Sequence, residues 1–475
     1  MRTALWISTV ALVLGVAWLG EESASGQPAP AASAASAASA PAPAASAVPA
    51  SSTTQIDRGR YLTALGDCIA CHTPAGTAAF SGGRPIATPF GTVLSANLTP
   101  DNATGIGRYT ADTFYRALHE GLDHEGKHLY PAFPYTSYAK VTREDSDAIY
   151  AYLRTLAPIS HAVDRNQLHF PYNIRSLMAI WNAMFFKDRE PFAANPAKPV
   201  EWNRGAYLVE GLGHCQACHT PRNFMGGAKR GEAFRGGAFD TWFAPDITPN
   251  ARIGIGGWQR EELVEFLHSG LNAHSGASGE MGEAVRYSTS QMSDADVAAV
   301  ATYLADQPAS PMPDIRPVAD AQMQQGRAIW QDACSACHRE EASGVPRYFP
   351  PLKGNANLQQ GDPTTVVHYI LAGARRTPTA KAPTPLAMPS FAWKLDDAQI
   401  AAVATYARNS WGNAAPAVKA SEVADLRARL IQAGPDVKAE PTPHDLTHPG
   451  PLTLAPAGTD SRENGTLHAG NPAPR

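Results

Sequence analysis

Cys68-Ile-Ala-Cys71-His72, Cys215-Gln-Ala-Cys218-His219 and Cys334-Ser-Ala-Cys337-His338 together contain every cysteine of this 475-residue chain. C-x-x-C-H is the attachment signature of a c-type haem. Two thiols three positions apart each add across one vinyl group of a porphyrin, and the adjacent histidine then lies under the ring to ligate the iron. The predicted cofactor content is therefore three haems c, with Cys68, Cys71, Cys215, Cys218, Cys334 and Cys337 as covalent anchors and His72, His219 and His338 as proximal iron ligands. A redox disulfide or half a zinc site is the usual alternative for an isolated C-x-x-C. Those need a thioredoxin-type setting or paired C-x-x-C units at zinc spacing, and neither is present.

Working outward, the segments around the pentads repeat. Arg58-Gly59-Arg60-Tyr61-Leu62 leads into the first and Arg204-Gly205-Ala206-Tyr207-Leu208 into the second. Downstream, Asn97-Leu-Thr-Pro100 with Gly105-Ile-Gly107 is answered by Asp246-Ile-Thr-Pro249 with Gly254-Ile-Gly256. The Gly-Ile-Gly pieces read as turns, because they do not join a strand to a helix as a phosphate site would. Helical patterns follow at Phe114–Gly121 and Leu263–Gly270. A closing helix with a start signal ends each repeat: Thr142-Arg-Glu-Asp145, Ser293-Asp-Ala-Asp296 and Asp396-Asp-Ala-Gln399.

Helix, pentad, long loop, helix and closing helix is the layout of a small cytochrome c domain. Gly59, Gly205 and Gly326 would let the first and last helices approach closely. Strand-like alternation is scarce, so the predicted fold class is all-α: three tandem cytochrome c domains with long haem-wrapping loops, and a triple rather than a single core. The boundaries read 54–160, 200–310 and 319–415, with a connector at 161–199. Residues 1–26 form a secretory signal with an apolar run from Ala4 to Leu19, an uncleaved anchor being the competing reading. Residues 27–53 are an Ala/Pro/Ser linker and 416–475 a C-terminal tail. Export to the periplasmic face of the inner membrane agrees with haem attachment outside the cytoplasm. The net charge of -4 argues against nucleic acid, which needs a basic face.

Each iron has one position left, and electron-carrying c-type domains usually fill it with a methionine thioether. Met388, in Ala387-Met-Pro-Ser-Phe391 ahead of the third closing helix, fits that role. In the second repeat Met281 is the distal candidate. Met292 directly precedes the Ser293 cap in register with Val141 and Leu395, which is a packing position, and Met225 follows its pentad too closely to reach the opposite face. In the first repeat Phe133 stands where Met388 stands in the third. Met178 is then the distal candidate, with His119, His124 and His128 as alternatives and an open iron as the remaining possibility.

With these residues in hand, the chain resembles the triple-haem cytochrome c subunit of bacterial membrane-associated alcohol, gluconate, sorbitol and aldehyde dehydrogenases. The resemblance spans roughly residues 54–415. It is carried by the pentads, Leu129-Tyr-Pro-Ala-Phe-Pro-Tyr-Thr-Ser-Tyr138, Cys218-His-Thr-Pro-Arg222-Asn, Met388-Pro-Ser-Phe-Ala-Trp393-Lys-Leu395 and Asn409-Ser-Trp-Gly-Asn413. It departs from many relatives at Phe133, where they carry Met. The resemblance implies an electron-transfer subunit with no catalytic site of its own. Its partners would be a dehydrogenase catalytic subunit of PQQ, flavin or molybdenum type and, as acceptor, ubiquinone or a respiratory cytochrome. It also implies peripheral membrane contact, for which Val423, Leu426, Leu430 and Ile431 supply a short apolar face. The rival from the residues alone is a multihaem peroxidase with an open first haem, motivated by Phe133, or the cytochrome subunit of another respiratory complex.

Overall fold

Gly59 on α1 (Thr53–Leu65) faces the last helix of the first repeat so closely that an added Cβ would lie 1.9 Å from the Ala148 carbonyl oxygen and 2.9 Å from Tyr152 Cβ. Only glycine permits that crossing. The computed structural model describes residues 53–432, apart from Arg165, Asp314, Arg316, Pro317 and Pro385; the signal segment and nearly all of the linker, and the tail beyond Gln432, lie outside the described residues. After α1 come α2 (Cys68–His72), β1 (Pro85–Thr88), β2 (Gly91–Leu94), α3 (Ala111–Glu120), α4 (Tyr135–Tyr138) and α5 (Arg143–Leu153). The connector adds β3 (Gln167–Leu168) and α6 (Met178–Phe185).

The second repeat runs α7 (Val200–Tyr207), α8 (Gln216–His219), β4 (Arg235–Phe239), β5 (Trp242–Asp246), α9 (Arg260–Ser269), α10 (Gly279–Tyr287) and α11 (Asp294–Ala305). Its first helix crosses its last at Gly205, whose Cβ would lie 2.0 Å from the Ala299 carbonyl oxygen. Between Tyr207 and Cys215 this repeat is one residue longer than between Tyr61 and Cys68. The extra residue is absorbed as a π-helical turn, Leu208–Leu212. The third repeat consists of α12 (Asp320–Ala333), α13 (Ser335–His338), α14 (Thr364–Ala372), β6 (Ala374–Arg375), β7 (Ala387–Met388), α15 (Asp397–Arg408) and α16 (Ala420–Gln432). Here Gly326 makes the crossing, 2.3 Å from the Ala402 carbonyl oxygen.

All three closing helices start as their caps predict. The side chains of Thr142, Ser293 and Asp396 accept from the backbone N–H groups of Asp145, Asp296 and Gln399. Val141, Met292 and Leu395, each directly before its cap, are buried.

The first two repeats share one core, which corrects the expectation of three: Leu62, Leu65 and Leu153 pack in the same cluster as Leu208, Leu212 and Val300, while the third repeat has its own. A reciprocal polar contact explains the pairing. Tyr61 OH donates to Asp296 at 2.7 Å, and Arg204 Nε donates to the same carboxylate at 2.7 Å. In mirror fashion Tyr207 OH donates to Asp145 at 2.5 Å, and Arg58 Nε donates to it at 2.8 Å. Each tyrosine of the repeated Arg-Gly-x-Tyr thus reaches the third residue of the other repeat's closing helix. The contact is isologous, like a two-fold dimer interface. The third repeat carries Gln325, Ala328 and Gln399 at the corresponding positions and takes no part.

Burial opposes charge on Asp296, but Arg204 and Tyr61 outweigh it and hold the carboxyl below its ordinary range. A carboxyl held low stabilises the fold above its unfolded pKa of about 3.9, and that contribution is lost as pH falls through the folded value. Unfolding free energy is therefore expected to drop as pH falls below about 5, and Asp296→Asn to flatten that slope. An Asn variant with the wild-type slope would show that the titration lies elsewhere.

The all-α expectation is corrected by three small antiparallel sheets. β1 pairs with β2, and the connector's β3 adds to β2 with Gly91 opposite Leu168. β4 pairs with β5, and β6 with β7. β2 and β5 show no alternating burial, and all of these strands are loop edges of two to five residues, too short for periodicity to reveal them.

The C-terminal apolar face is also corrected. Val423, Leu426 and Leu430 are buried in the third core, and Arg427 donates to Asp397 and to the carbonyls of Ala392 and Leu395. Of the four residues only Ile431 is exposed, so this face is occupied within the fold and is not free for a membrane. No helix among the described residues is long and apolar enough to cross a membrane. The third repeat docks on the second through Trp242 stacked on His368, with ring centroids 3.6 Å apart, and Thr365 Oγ1, which both accepts from and donates to the Phe243 backbone.

Candidate haem sites

Each pentad ends in a short helical turn, α2, α8 or α13, which sets its two cysteines one turn apart on one side and its histidine just beyond them. Burial pushes the Cys68 and Cys215 thiols up to about 12. These are not the lowered thiols of a redox or metal-binding pair. Burial holds His72 down at about 4, so its ring is neutral at pH 7 and fit to be an iron ligand.

Nδ1–H of His72 donates to the Ala96 carbonyl at 2.6 Å, and Nδ1–H of His219 to the Pro245 carbonyl at 2.7 Å. That fixes the tautomer and leaves Nε2 for a metal. The sequence echo at 97–100 and 246–249 now has a purpose. Asn97 Oδ1 accepts from Thr99 N and Oγ1, and Asp246 Oδ1 accepts from Thr248 N and Oγ1, so each side chain braces the loop immediately after the accepting carbonyl. The third repeat lacks the echo. His338 Nδ1 is buried with no hydrogen-bond partner among the described residues. The residues present fit three c-type haems: paired thiols, a neutral imidazole beside each pair, and two of the three imidazoles already oriented.

Of the distal candidates, Met388 lies on β7 opposite Ala374, next to Gly373, whose φ of +81 and 2.6 Å Cβ approach to the Met388 carbonyl require glycine. Met281 lies on α10 and packs against the shared core. Gly279 and Gly282 of the same helix abut Trp242 and Thr377, so the helix is wedged between the second and third repeats. Met178 begins α6. Met178 and Phe133 both pack against a satellite cluster of Tyr135, Ala139, Trp181 and Phe186.

The three histidine alternatives differ in their surroundings. His119 Nε2 meets the Val141 carbonyl at 2.5 Å and its ring stacks on Tyr115, so it is already engaged. His128 Nδ1 is 3.5 Å from Asn182 Nδ2, beside the Met178 helix. The His124 ring lies tilted against Tyr109, centroids 4.8 Å apart. Met225 sits under α6, its carbonyl accepting from Trp181 Nε1.

Sequence reasoning missed how the first two attachment turns meet. A Cβ on Gly66 would lie 3.3 Å from Cys68 Sγ and 3.6 Å from Leu212 Cδ2 of the second repeat. The Tyr138 ring stands edge-on to His214, centroids 5.7 Å apart, and its hydroxyl donates to the Gly66 carbonyl. Arg84 donates both to the Ala70 carbonyl inside the first pentad and to Glu283 on the Met281 helix, each at 2.6 Å. The partners of Arg84 are far apart in sequence, and no local signal could have paired them. Chemically, the first two cofactor positions share one wall, which suits electron exchange between them.

The Cytochrome c family model matches residues 56–157 and 323–411. The gluconate 2-dehydrogenase cytochrome c subunit of Pantoea cypripedii is 38% identical over 408 residues, covering 81% of this chain and 92% of that protein. The cytochrome c subunit of the quinone alcohol dehydrogenase of Gluconobacter oxydans is 38% identical over 391 residues, 78% of this chain and 82% of that protein. The fructose dehydrogenase cytochrome subunit of Gluconobacter japonicus is 35% identical over 412 residues, 80% and 84%.

Proposed function

This chain belongs to the family of cytochrome c subunits of dehydrogenase complexes, and from that premise we propose that it carries three covalent haems c and relays electrons from a dehydrogenase catalytic subunit to ubiquinone or a respiratory cytochrome. It does so as three tandem cytochrome c domains, exported to the periplasmic face of the inner membrane. The observation that carries the reading is the threefold repetition of one frame: a glycine crossing and a capped closing helix around each pentad.

When bound, a c-type haem takes up and releases one electron at a time at its iron. Cys68 and Cys71, Cys215 and Cys218, and Cys334 and Cys337 hold the three rings. His72, His219 and His338, together with Met178, Met281 and Met388, would ligate the three irons. Ala96 and Pro245, by accepting from the histidine Nδ1–H groups, strengthen the first two imidazoles as donors. Met178 packing against the same cluster as Phe133 supports a closed first iron over the open iron that a peroxidase needs.

The test is purification from solubilised membranes with its largest companion chain. The mature polypeptide should carry the mass of three haems, and the companion's substrate should reduce all three before a quinone analogue reoxidises them. Fewer than three haems would overturn the triple attachment. Catalytic reoxidation of the chemically reduced protein by peroxide, with no companion dehydrogenase, would favour the peroxidase.

A further inference from the structure

The helix that carries Met281, α10, is nine residues long and contains two glycines, Gly279 and Gly282. So short a helix with two poor helix formers does not persist by its own propensity, and its place is set by what grips it. Gly279 and Gly282, three residues apart on one face, abut Trp242 and Thr377, and Met281 packs against the shared core. Glu280 and Glu283, on another face, reach out of the second repeat.

Both carboxylates meet Arg84 of the first repeat, Glu283 at 2.6 Å and Glu280 at 3.7 Å. The Arg84 side chain is 25% exposed and that of Glu283 30%, so the pair is sheltered from the water that makes surface ion pairs weak. The same Arg84 Nη1 donates to the Ala70 carbonyl inside the first pentad at 2.6 Å. Its backbone is fixed too. Arg84 N donates to Ser95 Oγ and its carbonyl accepts from Ser95 N, one residue before the Ala96 carbonyl that receives His72. At the far end of α10, Ser288 Oγ donates to the Leu65 carbonyl at 2.8 Å, three residues before Cys68. The helix bearing the second repeat's distal candidate is thus moored along the first repeat's attachment turn.

Arg84 is not part of the common frame. Phe80 and Phe234 are equivalent: both have positive φ, 62 and 64, and their carbonyls accept from Leu98 and Ile247. Counting on from them, Gly82-Gly83-Arg84 answers Gly236-Gly237-Ala238. A residue that each repeat needs for its own haem would recur, whereas an arginine present once and spanning two repeats serves the contact between them.

We propose that Arg84 is a positioning residue for the second haem: by clamping α10 to the first attachment turn it keeps the Met281 thioether on its iron and closes that iron to other ligands. The inference rests on Met281 as a distal ligand and adds where its hold comes from. With the clamp cut, Met281 spends more time off the iron, and the apparent affinity for an outside ligand rises in proportion to that open fraction.

The probe is imidazole, titrated into the oxidised, haem-loaded full chain and read by loss of the thioether-to-iron charge-transfer band. In Arg84→Met one haem should take imidazole at least about tenfold more tightly than in the wild type, with helix content and haem number unchanged. Arg84→Lys keeps the charge without the planar fork and should fall between. Glu283→Ala cuts the clamp from the other end and should shift the titration the same way, although alanine is the better helix former; it carries the test if Arg84→Met does not fold. Added to Met281→Ala, where that iron is already open, Arg84→Met should change imidazole binding no further. A structural role alone would lower stability and leave the titration as in the wild type, or loosen every haem alike, the Met281→Ala background included; either result overturns the proposal. If Met281→Ala leaves the band intact, the ligand assignment fails and the proposal with it. If that variant loses its share while Arg84→Met and Glu283→Ala titrate as the wild type, the assignment stands and the proposal alone falls.

Discussion

Gly205→Ala is expected to cost about 3 kcal/mol or more of unfolding free energy, and in the same step to reduce haem incorporation at the second pentad. Helix propensity alone predicts the reverse, since alanine is favoured over glycine in a helix interior by about 1 kcal/mol. The crossing decides the sign. The new methyl would sit 2.0 Å from the Ala299 carbonyl oxygen and 2.8 Å from Tyr303 Cβ, and backbone cannot yield as a flexible side chain can. α7 and α11 would have to separate, opening the core shared with the first repeat. Gly211→Ala is the control. Its Cβ would meet Lys140 Cβ at 3.5 Å, an ordinary contact, and should change stability by no more than about 1 kcal/mol. Chemical denaturation followed by helix circular dichroism reads both. A Gly205→Ala protein as stable as the control would refute the account of the crossing, and Gly59→Ala and Gly326→Ala extend the test to the other repeats.

Met178→Ala is expected to convert the first haem from six-coordinate low-spin to high-spin and to remove its share of the thioether-to-iron charge-transfer band of the oxidised protein. Met281→Ala and Met388→Ala should each remove another share, so that the three losses together abolish the band. The first haem should also become harder to reduce, because the thioether favours the ferrous state. The rescue is specific. Phe133 and Met178 lie in one cluster, so adding Phe133→Met to the Met178→Ala protein places a thioether where the third repeat has Met388 and should restore the band. A mere packing role for Met178 would lower stability and leave the spectrum unchanged. An unaltered band in Met178→Ala would remove this residue from the coordination of iron.

What could be read from the chain and what could not divides by distance along it. The pentads fix the cofactor chemistry within five residues. The caps at Thr142, Ser293 and Asp396 act over three, and each starts its helix where the sequence places it. The repeated glycines announce a close crossing because no side chain can replace them there. The short hairpins escaped because strands of two to five residues are too short to establish a period, and the role of α16 escaped because an apolar face looks the same whether it meets lipid or another helix.

The sequence by itself determined the attachment chemistry, the repeated helical frame and the helix starts, since all of these arise from contacts between near neighbours. Only the tertiary structure decided that the first two repeats clasp through Tyr61 and Tyr207, that Met178 packs against the same cluster as Phe133, and that Val423, Leu426 and Leu430 turn inward. These depend on the fit of surfaces dozens to hundreds of residues apart, and such complementarity exists only once the intervening chain has folded.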